Sequence, residues 1–145
     1  MLQRTDAADA IDPLMRPFFE RSGLAALRLG GRALLPIVQG GMGVGVSAHK
    51  LAGNVASLGG VGTISSVDLR RHHPDLMERT QGLASRPGMD ADTKAVIDAA
   101  NLEAIGREIR AARVLSEGRG LLAINVTRAV AEYAASAKKA LEAGI

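Results

Sequence analysis

Three short apolar runs, each followed by a turn and then by a helical pattern, constrain the fold of this chain most strongly. The runs lie at 36–39, 61–66 and 121–126, and the last helical pattern covers 129–143. Apolar strands that alternate with helices are typical of a buried parallel sheet. The sequence therefore predicts an α/β fold built from three strand–helix units.

The chain divides into an N-terminal segment and a domain that contains the three units. Residues 1–23 are polar and form the N-terminal segment with one short predicted helix, and residues 24–145 form the domain. Gly30 and Gly31 separate two apolar runs and predict a tight hairpin turn. Residues 67–92 lack a clear period, which predicts an insertion that is mobile or only partly helical.

Helical spacing predicts which side chains face the core and where each helix begins and ends. Ser47 is predicted to be the N-cap of the first helix, because its hydroxyl can accept a hydrogen bond from a free N–H group. Gly59, Gly60 and Gly62 are predicted to end that helix and to start the next strand tightly. The predicted inward residues are Leu51, Val55 and Leu58 in the first helix, Leu102, Ile105, Ile109, Ala112 and Leu115 in the second, and Val130, Tyr133, Ala137 and Leu141 in the third.

Composition excludes several classes of function. The chain has two Phe, one Tyr and no Trp, too few for a base-stacking surface, and its net charge of +3 is scattered, so nucleic-acid binding is not expected. It has no Cys, and no apolar run of about 18 residues that could span a membrane. A cytoplasmic protein without a metal site is expected. His72 and His73 are predicted to lie in a solvated loop, and His49 is predicted to face solvent.

Glycines at 40, 41, 43 and 45 follow the first strand directly, which predicts a close approach to the backbone there. One interpretation is a dinucleotide fingerprint, because residues 43–48 fit G-x-G-x-x-A and Asp68 follows the second strand. In a parallel sheet, ligands bind beyond the carboxyl ends of the strands. Segments 40–45, 65–68 and 125–128 are predicted to meet there.

The chain also resembles a known family. The stretches "PIVQGGMGVGVS", "LAGNVASLGGVGTISS" and "LLAINVT" resemble the flavin-dependent nitronate monooxygenases, also called 2-nitropropane dioxygenases, over about residues 24–145. That family looks related to FMN-dependent enoyl reductases. The resemblance implies a (β/α)8 TIM barrel that holds FMN, with this chain supplying the first three βα units after an N-terminal hairpin.

The resemblance also implies a site. The backbone at Gly40, Gly41 and Met42 would lie against the flavin, and the amide of Asn125 would reach the cofactor. Ser65 could donate to a phosphate or cap a turn, and Met42 could equally be core packing. The full set of expected cofactor-binding residues is Gln39, Gly40, Gly41, Met42, Gly43, Ser65 and Asn125.

The implied reaction is the oxidation of an alkyl nitronate by oxygen to a carbonyl compound and nitrite. Only three of eight units are present, so we expect the N-terminal part of a longer enzyme, with the catalytic residue downstream of Ile145. The chain alone is expected to be inactive and could self-associate through open sheet edges. The alternatives are another FMN-dependent barrel oxidoreductase, such as an enoyl reductase relative, or a non-catalytic βα fragment.

Overall fold

The computed structural model describes residues 8–83, 88–128 and 132–145 as a mixed α/β chain. The order begins with strand β1 (Ala8–Asp9), helix α1 (Arg16–Ser22) and strands β2 (Leu27–Leu29) and β3 (Arg32–Leu34). Helix α2 (His49–Ser57), strand β4 (Val61–Ser65), a 3₁₀ helix (Leu69–His72) and helix α3 (Pro74–Arg79) follow. Helix α4 (Ala91–Ser116), strand β5 (Leu121–Asn125) and helix α5 (Tyr133–Ala143) come last.

The N-terminal hairpin is confirmed. Strands β2 and β3 pair antiparallel, and β1 adds to β3 in parallel. Gly30 and Gly31 join the two hairpin strands with φ angles of 55° and 72°. Two consecutive left-handed residues match the twist of a hairpin, and glycine adopts that conformation at no steric cost.

The second sheet is parallel. Strand β4 pairs with β5 in register from Val61 opposite Leu121 to Ser65 opposite Asn125. Both strands end one residue before the predicted boundary. The predicted first strand at 36–39 is reduced to one parallel bridge between Val38 and Val61. The pairing stops there because the next donor, the Thr63 N–H, bonds to the Gln39 side chain instead of to a backbone carbonyl.

The two faces of this parallel sheet have different neighbours. Ile64, Leu122 and Ile124 pack with buried residues of α2, α4 and α5. Val61, Leu121 and Ala123 alternate with them and pack against Leu27 and Leu34 of the hairpin. Helices α2, α4 and α5 therefore share one face, an arrangement compatible with a barrel segment, although the described strands do not close into a barrel.

Small residues form the buried faces of α2 and α5. The predicted face of α5 is wrong, whereas in α2 the predicted Leu51 and Val55 are half-buried beside the small residues. In α2 the buried residues are Ala52, Gly53 and Ala56, and in α5 they are Ser136 and Ala140. Small side chains allow close backbone approach; a Cβ on Gly62, for example, would clash with the Ala52 carbonyl. The larger predicted residues are displaced outward, as shown by Leu58, Tyr133 and Leu141, which are 39%, 45% and 71% exposed.

Helix α4 follows its predicted face more closely. Ile105, Ile109 and Ala112 are buried, while Leu115 is exposed. Val130, predicted to face inward from the third helix, lies outside the described residues. Among the described helices, none is both long and apolar enough to cross a lipid bilayer.

The segment predicted as an insertion is partly helical. It contains the 3₁₀ helix and α3, and Leu69 and Leu76 are fully buried in the core beside α4. Residues 84–87, which belong to the predicted range of 67–92, lie outside the described residues. The part from Leu69 to Thr80 is thus packed against the domain.

Candidate functional site

The seven expected cofactor-binding residues converge at the carboxyl end of the parallel strands. Gln39 follows the bridge at Val38, while Ser65 and Asn125 are the paired last residues of β4 and β5. The loop from Gly40 to Gly45, called the glycine loop below, lies over the ends of both strands. The predicted meeting of these segments at one sheet edge is therefore observed.

The side chains of Gln39 and Ser47 connect the glycine loop to strand β4 through hydrogen bonds. The Gln39 Oε1 atom accepts a hydrogen bond from the N–H of Thr63 (2.9 Å), and Nε2 donates to Ser47 Oγ (2.8 Å). Ser47 Oγ also accepts from the Met42 N–H (2.8 Å) and donates to the Gly40 carbonyl (3.1 Å). Ser47 therefore fixes the conformation of the loop by binding its backbone groups, and Gln39 positions Ser47.

The prediction that Ser47 caps the first helix is wrong. Helix α2 begins at His49 with Ala48 as its N-cap, and Ala48 makes no side-chain cap bond. Ser47 lies one residue earlier and is fully buried, so its hydroxyl is directed into the loop. Sequence spacing did not distinguish these two uses of a serine, because both place it just before a helix.

Packing within the chain explains two glycines of the loop. A Cβ on Gly41 would lie 2.5 Å from the Cβ of Asn125. Gly45 has a left-handed φ of 75°, and a Cβ there would clash with the imidazole of His72. A Cβ on Gly43 would make ordinary contact with Ser65 Oγ at 3.4 Å. The close approach predicted from the sequence is thus partly an approach of Asn125 and His72.

Gly40 differs from these glycines. It does not have a left-handed φ, and apart from its chain neighbours Gln39 and Gly41 no atom of the described residues lies within 4 Å of the position its Cβ would take. Its lack of a side chain is therefore not explained by the packing or the conformation of the described chain. Gly40 is exposed and faces open solvent at this point of the edge.

Asn125 is exposed, although it ends an otherwise apolar strand. The side chain stands beside Gly41 at the open end of β5, and its backbone carbonyl accepts from the Ser66 N–H (3.1 Å). Ser65 is buried, and its N–H donates to the Ser47 carbonyl (2.9 Å). Met42 is 46% exposed beside Val44 and Val46, so it belongs to an exposed apolar loop surface.

The geometry argues against the dinucleotide fingerprint. That motif places a pyrophosphate at the N-terminus of the helix after the glycines. Here the Glu108 carboxylate holds that position and accepts from the His49 N–H at 2.7 Å. Asp68, the expected ribose ligand, instead pairs with Arg70 (2.9 Å) and with Arg71.

The predicted solvent positions of two histidines are also wrong. His49 Nδ1 lies 2.7 Å from Glu108 Oε2, and His73 Nε2 lies 3.1 Å from Glu108 Oε1. Glu108 is 59 residues beyond His49, so no local pattern indicates the contact. Within the described ranges no group of three or more His, Cys, Asp or Glu side chains is arranged to hold a metal ion.

The chain was also compared with known proteins. No protein-family model and no curated protein matches it.

Proposed function

We propose that the carboxyl-end edge binds FMN and forms one wall of a nitronate monooxygenase site. The proposal also takes the parallel strands as the first part of a β/α barrel, in which ligands bind at this end. The sequence resemblance suggests this cofactor and reaction. The observation that carries the proposal is the open space at Gly40, next to the exposed side chains of Met42 and Asn125.

Gly40 fits a flat ring system better than any larger residue would. A side chain there would project into the space above the strand ends and keep a planar ligand away from the backbone. The bonds of Gln39 and Ser47 fix the loop before any ligand arrives. Such preorganisation lowers the entropy cost of binding.

Asn125 and Met42 supply the polar and apolar contacts that the proposed cofactor needs. An amide offers both a donor and an acceptor without a charge that must be desolvated, which suits the uncharged edge of a flavin ring. Met42 provides a flexible, polarisable side chain of the kind that packs well on ring edges. When bound, FMN would supply the one-electron oxidation of the nitronate, and oxygen would complete its conversion to a carbonyl compound and nitrite.

The phosphate of FMN limits the expected affinity. The N-terminus of α2, the helix that follows the loop, is already filled by the Glu108 carboxylate. A phosphate would therefore be repelled there instead of being stabilised by the helix dipole. We expect a dissociation constant of about 100 µM or weaker, equivalent to a binding free energy of at most about 5.5 kcal/mol.

The test is a titration of the chain with FMN, followed through flavin fluorescence, for the wild type and for Gly40→Ala. The wild type should bind saturably, and the variant should bind about tenfold more weakly because the new methyl group occupies the ligand's space. Folding stability should not fall, since alanine fits this backbone conformation. Nitrite release from propyl nitronate is measured in parallel and should not exceed the FMN-only background for this chain alone.

Equal FMN affinity of the wild type and Gly40→Ala would contradict the proposed site. Gly118→Ala is the matched control, because Gly118 is also exposed with open space at its Cβ but lies beyond α4, away from the edge. Its left-handed φ of 73° means that the control can lower stability, whereas its FMN affinity should match the wild type.

A further inference from the structure

Glu108 is a buried carboxylate that the proposed cofactor contacts do not use. It lies in α4 with 1% of its surface exposed. Burying a carboxylate is costly unless hydrogen bonds and opposite charges compensate it. The groups that surround Glu108 should therefore show what it stabilises.

Glu108 caps α2 from another helix. Its Oε2 atom accepts from both the backbone N–H and Nδ1 of His49, each at 2.7 Å. A carboxylate oxygen accepts, so the contact with Nδ1 is a hydrogen bond in the tautomer that carries its proton on Nδ1. Ala48 and Ser47 do not cap this helix, so Glu108 supplies the anion that its N-terminus favours.

The same carboxylate connects α2 to the segment that follows β4. Oε1 lies 3.1 Å from His73 Nε2, an ion-pair distance without the alignment of a hydrogen bond. His72, the next residue back, stands against Gly45 of the glycine loop. The segment from Leu69 to His73 therefore contacts the stretch from Gly45 to His49 at both ends. His72 contacts Gly45 directly, and His73 contacts Glu108, which in turn binds His49.

We propose that Glu108 is a positioning residue for the glycine loop. Glu108 fixes His49, the first residue of α2, and so fixes the end of the chain that leaves the loop. Its contact with His73 also keeps the neighbouring His72 against Gly45. The loop geometry at Gly40 and Met42 then depends on a carboxylate that does not touch the ligand. The effect on FMN rests on the proposed function, whereas the effect on the loop does not.

The experiment compares Glu108→Ala, Glu108→Gln and the control Glu103→Gln in the whole chain. Glu103 is on the same helix and forms surface ion pairs with Arg79 and Arg107. Amide hydrogen exchange is measured by NMR at Met42, Ser47 and His49, with the amides of β4 as an internal reference. FMN affinity is measured by NMR titration of the same samples.

In Glu108→Ala, exchange at these three amides should rise by about tenfold or more, while β4 stays protected. Glu108→Gln should rescue part of the protection, because its amide oxygen can still accept from the His49 N–H. FMN affinity should fall in the same order, and Glu103→Gln should match the wild type in both measurements. A uniform loss of protection that includes β4 would show a merely structural role and would overturn the proposal.

Two other outcomes are decisive. Unchanged exchange at the three amides in a folded Glu108→Ala variant overturns the positioning role, whatever FMN does. Faster loop exchange in a chain whose wild type does not bind FMN supports the positioning role and contradicts the proposed function. If Glu108→Ala does not fold, His73→Gln replaces it: faster exchange around Gly45 supports the link through His73, and wild-type exchange overturns it.

Discussion

At the scale of single residues, the glycines of the loop have different reasons to be glycine. Gly41 makes room for Asn125, whereas Gly40 borders open space. A substitution at Gly41 should therefore act through folding, and one at Gly40 should act through ligand binding. Sequence alone cannot separate the two, because both follow the same strand and share the same composition.

Gly41→Ala should destabilise the fold by about 1–3 kcal/mol, the usual cost of inserting a methyl group into a packed site. The reason is the 2.5 Å separation between the new Cβ and the Cβ of Asn125. Asn125→Gly removes that atom, so the double variant should lose less stability than the two single variants predict together. Urea denaturation of the four proteins measures this coupling; strict additivity would show that the two positions are not in contact.

At the scale of helices and strands, charged side chains join α3 to α4 on the surface. Arg107 makes two hydrogen bonds to Asp75, at 2.7 and 2.8 Å, and a third to Glu103 at 2.6 Å. Arg79 of α3 adds a bond to Glu103 at 2.7 Å. The hydrogen bonds to Arg107 lower the pKa of Asp75. The pKa of Glu103 is lowered mainly by its hydrogen bond to Arg79 and next by its hydrogen bond to Arg107. Glu103 and Arg107 form an i,i+4 pair within this larger network.

These pKa shifts predict the direction of an acid effect. Because both carboxyl pKa values are lowered by folding, their stabilisation is complete above the ordinary values of 3.8 and 4.5. It is lost as the pH falls through that range and below. The melting temperature of Arg107→Gln should therefore fall less than that of the wild type when the pH is lowered from 7 to 3. Added salt should reduce this difference between the two proteins. Arg110→Gln, on the exposed side of the same helix, is the control and should follow the wild type.

Local patterns succeeded where the interaction itself is local. The Gly30–Gly31 hairpin, strands β4 and β5 and the core face of α4 all follow from neighbouring residues. The buried faces of α2 and α5 could not be predicted in this way, because both helices pack small residues inward. In α2 the larger side chains flank these small residues. The strand pattern predicted that segments 40–45, 65–68 and 125–128 meet at the carboxyl ends of the strands. The contacts that Glu108 makes across 59 positions left no local signal.

At the scale of the whole molecule, the parallel sheet has open edges. In the described part of the chain, β5 pairs only with β4, and Val38 pairs only with Val61. Val38 is 63% exposed, and Ile37 beside it is 48% exposed. Exposed apolar strand edges are templates for pairing with another chain.

We therefore expect the chain to self-associate as its concentration rises over about 5–200 µM, a consequence of mass action. Val38→Lys should reduce this association, because a lysine on an edge strand opposes pairing. Val114→Lys is the matched control, since Val114 is 78% exposed on α4, away from the sheet edge. Sedimentation velocity distinguishes them; equal association of both variants and the wild type would mean that the contact lies elsewhere.

The capping of α2 by Glu108 has a consequence for the order in which the chain folds. A nine-residue helix is short of the length at which isolated helices become stable in water, and α2 has no side-chain cap within its own segment. The carboxylate that completes its first turn arrives only when α4 docks. Helix α2 should thus gain its stability late, together with α4, so that the glycine loop is among the last parts of the chain to become ordered.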